Sequence, residues 1–175
     1  MNALEAITKR VSVRAYKSEQ ISNDVLEKIL KAGMSAPVGS GLYDSLHITV
    51  IQNGDLLNDI GDAVTEMVTK MLGKRLDKNF GAPTMVIVSS KPAMMPGIEY
   101  ANAACVLENM AIAATSLGID NIIWGGPSAI AKEEPVRSKI GIPEGFTPVL
   151  CASFGYAVTE EPAKEHTISV NRISC

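Results

Sequence analysis

Residues 98–117, "IEYANAACVLENMAIAATSL", leave this chain the fewest options. Their residue types favour a helix, and Gly118 stands where a left-handed cap residue ends one. Ala101, Ala103, Ala104, Ala111, Ala113 and Ala114 give small surfaces, while Val106, Leu107, Met110, Ile112 and Leu117 spread over several faces. A helix apolar nearly all round must be buried. Glu108 and two asparagines interrupt the run and polar residues follow it, so it reads as a core helix rather than a membrane span. A chain of 175 residues holds one core, and a single domain over residues 1–175 is expected. In so short a chain, one way to cover every face of this helix is a second copy of itself. The sequence thus predicts a homodimer.

The rest of the chain alternates strands with helices. Residues 2–9 suit a short helix. "ISNDVLEKILKAGMSAP" suits another, with Ser22, Asn23 or Asp24 as its cap, Val25, Ile29 and Leu30 as its stripe, and Gly33 and Pro37 at its end. "LHITVI" reads as a buried strand. Residues 55–71 carry Leu56, Ile60, Val64, Met67 and Met71 at helical spacing, a pattern that fits core packing. After a polar connector come "TMVIVSS", the long helix, "DNIIWGGPS", a short helix over 132–140, and "TPVLCASFGYAV". From Thr159 onward a polar tail is expected. This alternation alone predicts α/β layering with a parallel sheet.

Several functions are excluded or disfavoured. A net charge of −3 gives no field for non-specific nucleic-acid binding, so any anion site must be a local cluster. Cys105, Cys151 and Cys175 are odd in number, far apart and lack CxxC spacing, which argues against a disulfide framework or a thiolate metal site. With no basic, apolar leader at residue 1, a reducing, cytoplasmic setting is expected. His47 lies in a strand and His166 in the tail, and no metal-ligand spacing links them. No GxSxG elbow, phosphate-binding P-loop, GxGxxG after a strand or carboxylate pair appears. No catalytic side chain is assigned. If the protein is an enzyme, a bound cofactor carries the chemistry.

Four features remain. "RVSVRAY", residues 10–16, alternates Arg10, Ser12, Arg14 and Tyr16 with Val11, Val13 and Ala15, so an extended segment has a polar and an apolar face. Arg10 and Arg14 either hold a phosphate through charge-assisted bonds or form a solvated basic edge. "SAPVGSG", residues 35–41, is either a helix-ending loop or one whose glycines admit a flat ligand. "IIWGGPS", residues 122–128, is either a tight turn or a place where Gly125 and Gly126 offer backbone N–H groups. Trp124 suits core packing. The fourth is "EGFTPVLCASFGYAVTEEP", with Arg172 beyond it.

In this order, along nearly the whole chain, these features resemble the FMN-dependent nitroreductase family in a short form. The family's Arg-Arg-Ser-Val/Ile-Arg-x-Phe opening stands here as Arg10-Val11-Ser12-Val13-Arg14-Ala15-Tyr16. Ala36-Pro37 ends a helix, Leu117-Gly118 follows the long one, and the family's closing Gly-Tyr is Gly155-Tyr156. The resemblance implies an α+β fold: a central, mostly antiparallel sheet flanked by helices, in an intertwined homodimer with FMN at the interface. This overrides the parallel sheet expected above. It implies that Arg10, Ser12 and Arg14 meet the FMN phosphate, ribityl chain and pyrimidine edge. Pro37, Val38, Gly39 and Gly41 would pack on the partner's flavin, and Gly125 and Gly126 would lie near flavin N5. Arg172 would reach the phosphate, with Lys74, Arg75 and Lys78 as further candidates.

After Ala-Pro the family usually carries Ser and then Asn-x-Gln-Pro-Trp, whereas this chain has Val38, Gly41, Tyr43, Asp44 and Ser45. The asparagine that commonly bonds the flavin ring is missing. Loop backbone can replace it, and Tyr43 can narrow the cleft. The activity implied is reduction of a small nitroaromatic or quinone acceptor by NADH or NADPH through FMN, with neither a membrane nor a nucleic acid as partner. Two rivals follow from the altered loop and the missing acid and base: a dehalogenase or flavin-fragmenting enzyme of the same fold, and a non-catalytic flavin-binding module.

Overall fold

Residues 1–75 and 80–174 are described in a computed structural model of the chain. Lys78 and Cys175 therefore lie outside the described residues. Four strands form one sheet in the order β1-β2-β4-β3: β1 (Leu46–Ile51), β2 (Thr84–Ser90), β3 (Asp120–Trp124) and β4 (Thr147–Gly155). Every pairing between neighbours is antiparallel, with Ile51 opposite Met85, Val86 opposite Ala152, and Ile122 opposite Ser153. The parallel sheet read from the alternation alone is thus corrected, and the antiparallel one is found. The reason lies in the position of β4. β2 and β3 run the same way, joined by a helical crossover, but β4 lies between them and opposes both.

Among the described residues, six α-helices flank the sheet: α1 (Ala3–Lys9), α2 (Asn23–Met34), α3 (Gly54–Leu72), α4 (Ile98–Ser116), α5 (Gly126–Ile130) and α6 (Val136–Ile140). On one face, α2 and α4 bring Leu26, Ile29, Leu107 and Met110 onto Val86, Val88, Ala152 and Phe154. On the other, Leu57, Ile60 and Val64 of α3, with Val136 and Ile140 of α6, cover Met85, Ile87 and Cys151. The central strand β2 is buried along its whole length, whereas the edge strand β1 is only half-buried until Ile51. "LHITVI" is therefore less enclosed than its apolar sequence predicts.

Local chemistry explains most boundaries. Ser22 caps α2 by accepting from Val25 N, and Asn53 caps α3 by accepting from Leu56 N. Gly118 has φ 78° just beyond α4, the left-handed position expected of it. Gly33 does not end α2. It lies inside, where a β-carbon would come 2.7 Å from Met110 Cγ, so it permits a close α2–α4 crossing. Of the helix expected over 132–140 only its second half is helical, as α6, and α5 lies before it in the stretch read as a turn. No described helix is long and apolar enough to cross a membrane.

Candidate functional site

The basic alternation near the N-terminus crosses the outer edge of β3. A capping box between Asn2 and Glu5 starts α1, which ends at Arg10. Val13 N then donates to Asn121 O at 3.1 Å, and Val13 is buried with Ile122 and Tyr16. The two-face pattern fails at its end: Tyr16 is buried and Ala15 is exposed. Tyr16 N is tied to Phe80 O at 3.1 Å and its ring lies against Gly155, which turns the chain inward. The Tyr16 hydroxyl is buried without a partner. Burial first, then the nearby Asp120 carboxylate, raises its pKa far above the usual phenol range, so it stays neutral.

Arg10, Ser12 and Arg14 line one groove of about 1300 Å³, together with Lys164 and His166 of the tail. Glu108, Glu161 and Glu165 also border it. Among the described residues, the ion pairs are Lys28–Asp24, Lys70–Glu66 and Lys139–Asp59, so no carboxylate pairs with Arg10 or Arg14. Arg14 Nη1 donates to Ser12 O at 3.1 Å, which holds its side chain along the segment. Both guanidinium forks keep donors for an anion.

The second and third features lie elsewhere in the protomer, and none of their residues lines this groove. In the loop after α2, Pro37 is exposed, but Val38 is buried in its own protomer. Gly39–Gly41 forms a 3-10 turn in which Ser40 (φ 57°) and Gly41 (φ 68°) are left-handed. Gly39 N donates to Asn102 Oδ1 at 2.9 Å, and the Tyr43 hydroxyl donates to Ala36 O at 3.2 Å. Gly125 and Gly126 end β3 and open α5. Arg172 is exposed in the tail, and Lys74 and Arg75 are exposed beyond α3.

Two features escaped the sequence reading. Asn102 counted only as an interruption of the apolar helix, although a polar residue there signals a partner. A second cavity of about 310 Å³ lies over the α3 face of the sheet, between Leu57, Met85 and Trp124, with Gln20, Gln52 and Ser153 on its walls. Trp124 Nε1 donates to Ser153 Oγ at 3.1 Å, so the indole is a fixed wall. His47 packs beside Phe146, with ring centroids 5.7 Å apart. No cluster of metal ligands occurs among the described residues.

Comparison with known proteins agrees with this arrangement. The Nitroreductase family profile matches residues 7–156, from α1 through the end of β4. The chain belongs to the nitroreductase family. A protein of Archaeoglobus fulgidus, provisionally named an NADH dehydrogenase/NAD(P)H nitroreductase, is 30% identical over 159 residues, 90% of this chain and 87% of its own. A crystal structure of a nitroreductase with bound FMN from Bacteroides fragilis superposes with a TM-score of 0.83 at 31% identity, over 100% of this chain and 98% of that one. An FMN-bound nitroreductase from Desulfitobacterium hafniense gives 0.85 at 26% identity, over 98% of this chain and 100% of that one. The protomer fold expected from the motifs is therefore present, an antiparallel sheet with helices on both faces.

Proposed function

We propose that this nitroreductase-family chain is an FMN-dependent oxidoreductase that uses NADH or NADPH to reduce a small nitroaromatic or quinone-type acceptor, and that it acts as a homodimer. The observation that carries the reading is the groove in which Arg10 and Arg14 lie together, with no ion-paired carboxylate among the described residues. That donor set fits FMN along its length: the Arg10 fork for the phosphate, the Ser12 hydroxyl for the ribityl chain and the Arg14 fork for the ring edge, each charge-assisted bond worth about 1.5–3 kcal/mol. Held by these residues, FMN would supply the hydride and electron transfer between the nicotinamide donor and the acceptor.

The chain's own residues bind and orient. Arg10 and Ser12 hold the phosphate and ribityl end. Arg14 lies at the ring end, where a fixed positive charge favours the negative charge that reduction adds. A β-carbon at Gly125 would meet nothing within 4 Å, so a flat ring can approach the backbone there. No side chain needs to act as nucleophile or metal ligand. Leu4 and Ile7 of α1, with Ala101, Ala104 and Cys105 of α4, form an exposed surface of mostly apolar character. A second copy covers it and brings its own residues 37–41 towards the flavin.

Purified protein is expected to be yellow, or to become so with FMN, and to bleach on anaerobic addition of NADH and recolour with menadione. Protein that stays colourless in excess FMN would sink the reading. Bound FMN that no nicotinamide donor reduces would leave only the binding half of it.

A further inference from the structure

The loop at residues 37–41, which the reading above places against the partner's flavin, rests on one buried amide. Asn102 lies in the second turn of α4 and is 7% exposed. The other buried side chains of that helix are Ala103, Val106, Leu107, Met110, Ala111 and Ala114, all apolar. Burying an amide among them is costly unless it is bonded. Asn102 Oδ1 accepts the N–H of Gly39 at 2.9 Å, across 63 positions of chain.

Three further observations bear on that bond. A β-carbon at Gly39 would lie 3.1 Å from Ile98 Cδ1 and 3.5 Å from Asn102 Oδ1, so the loop backbone lies directly on α4. Ser40 is held at φ 57°, a left-handed conformation that is costly for a non-glycine residue and persists only where neighbours impose it. The loop's own backbone bonds are local, Gly41 N to Val38 O at 2.9 Å and Leu42 N to Gly39 O at 3.3 Å. Among the described residues, the amide of Asn102 is thus the hydrogen bond that ties the turn to α4.

Resting on the functional reading, we propose that Asn102 is a positioning residue: through Gly39 it fixes residues 37–41 in the shape that retains the flavin. A loop ordered before binding loses less freedom on binding, which appears as affinity. The Tyr43 hydroxyl on Ala36 O steadies the preceding stretch, so the turn is held at two points. In the dimer, the helix that carries the subunit contact then also sets the loop that crosses it.

The test compares Asn102→Leu, which removes the acceptor at similar size, with Asn102→Asp, which keeps an oxygen. The readouts are FMN dissociation constants from flavin fluorescence and amide hydrogen exchange of residues 39–42 in apo protein. Asn102→Leu is expected to weaken FMN about tenfold, the loss of one buried hydrogen bond, and to speed exchange in the turn. Asn102→Asp is expected to keep both near the parent values. A merely structural role would lower the melting temperature while the folded fraction binds FMN as the parent does. A folded leucine variant with parental affinity and parental exchange overturns the proposal, and so does an aspartate variant as defective as the leucine one. If the leucine variant does not fold, Asn102→Ala makes the same comparison. A parent that binds no FMN brings down the functional reading and this proposal together, whereas failure confined to the variants' pattern touches this proposal alone.

Discussion

A methyl group added at Gly126 would lie 2.7 Å from Val64 Cγ1, whereas one added at the neighbouring Gly125 would meet nothing within 4 Å. The two glycines of "WGGPS" therefore separate by experiment. Gly126→Ala should overpack the α3 contact and cost about 1–3 kcal/mol in urea denaturation. Gly125→Ala should leave the melting temperature near that of the parent and lower FMN affinity, because the new methyl stands where the ring approaches. Equal melting temperatures for both variants would remove the packing explanation of Gly126. At the groove, Arg10→Ala and Arg14→Ala should each weaken FMN about 10- to 100-fold, the worth of one charge-assisted bond, and Arg14→Ala should also slow reduction by NADH. Titration at rising salt should narrow the gap, since both groups border solvent. Charge and spacing made this pair legible in the sequence. Asn102 was not legible in the same way, because its partner is a backbone N–H and leaves no trace in residue type.

The elements were largely readable where their apolar period was long, and less so where neighbours decided the outcome. The extents of α3 and α4 follow from periodicity and from Gly118, and so does most of the α3 stripe: Ile60 and Val64 are buried, and Leu56 and Met67 pack against the same cluster. Leu57 is buried besides them, and Met71 is exposed. Gly33 reads as a helix stop in sequence, yet inside α2 it is the notch that accepts Met110. Met110 is fully buried at that crossing. Met110→Ala should cost about 2–5 kcal/mol, seen as a lower urea midpoint. A loss under 1 kcal/mol would mean that α2 and α4 close up over the gap. β1 is apolar like a central strand, but only the topology reveals that it lies at an edge.

At the scale of the whole molecule, the proposed second copy and the buried ionisable groups govern behaviour. Cys105 is exposed in one protomer on the face assigned to the dimer contact. In a Cys175→Ser background, its reaction with a thiol reagent should be slow at high protein concentration and speed up on dilution or mild denaturation. Rapid labelling of an intact dimer would place the contact elsewhere. Cys151 donates to Trp124 O at 2.9 Å, and burial pushes its thiol pKa well above the usual range, as burial does for Tyr16. Both groups keep their protons in the folded state after the unfolded chain has lost them. Their contribution is thus complete below the unfolded values, about 8.5 for cysteine and about 10 for tyrosine, and is lost as pH rises beyond them. Urea midpoints should fall between pH 8.5 and 11, and more gently in Cys151→Ala and Tyr16→Phe. An unchanged slope in both variants would assign the loss to other groups.

The strand order has a consequence for how the chain is made. β4 follows the other three in sequence and, among the described residues, is the strand that lies between β2 and β3 and joins them. While residues 147–155 are still inside the ribosome, the emerged chain has one strand pairing, β1 with β2, and β3 has no strand to pair with. The apolar inner faces of α2 and α4 then lack Ala152 and Phe154, against which they pack in the finished core. Assembly of the sheet waits for residues 147–155 to emerge. Folding is thereby a non-local event, with apolar surface exposed on the nascent protein until β4 is free to pair.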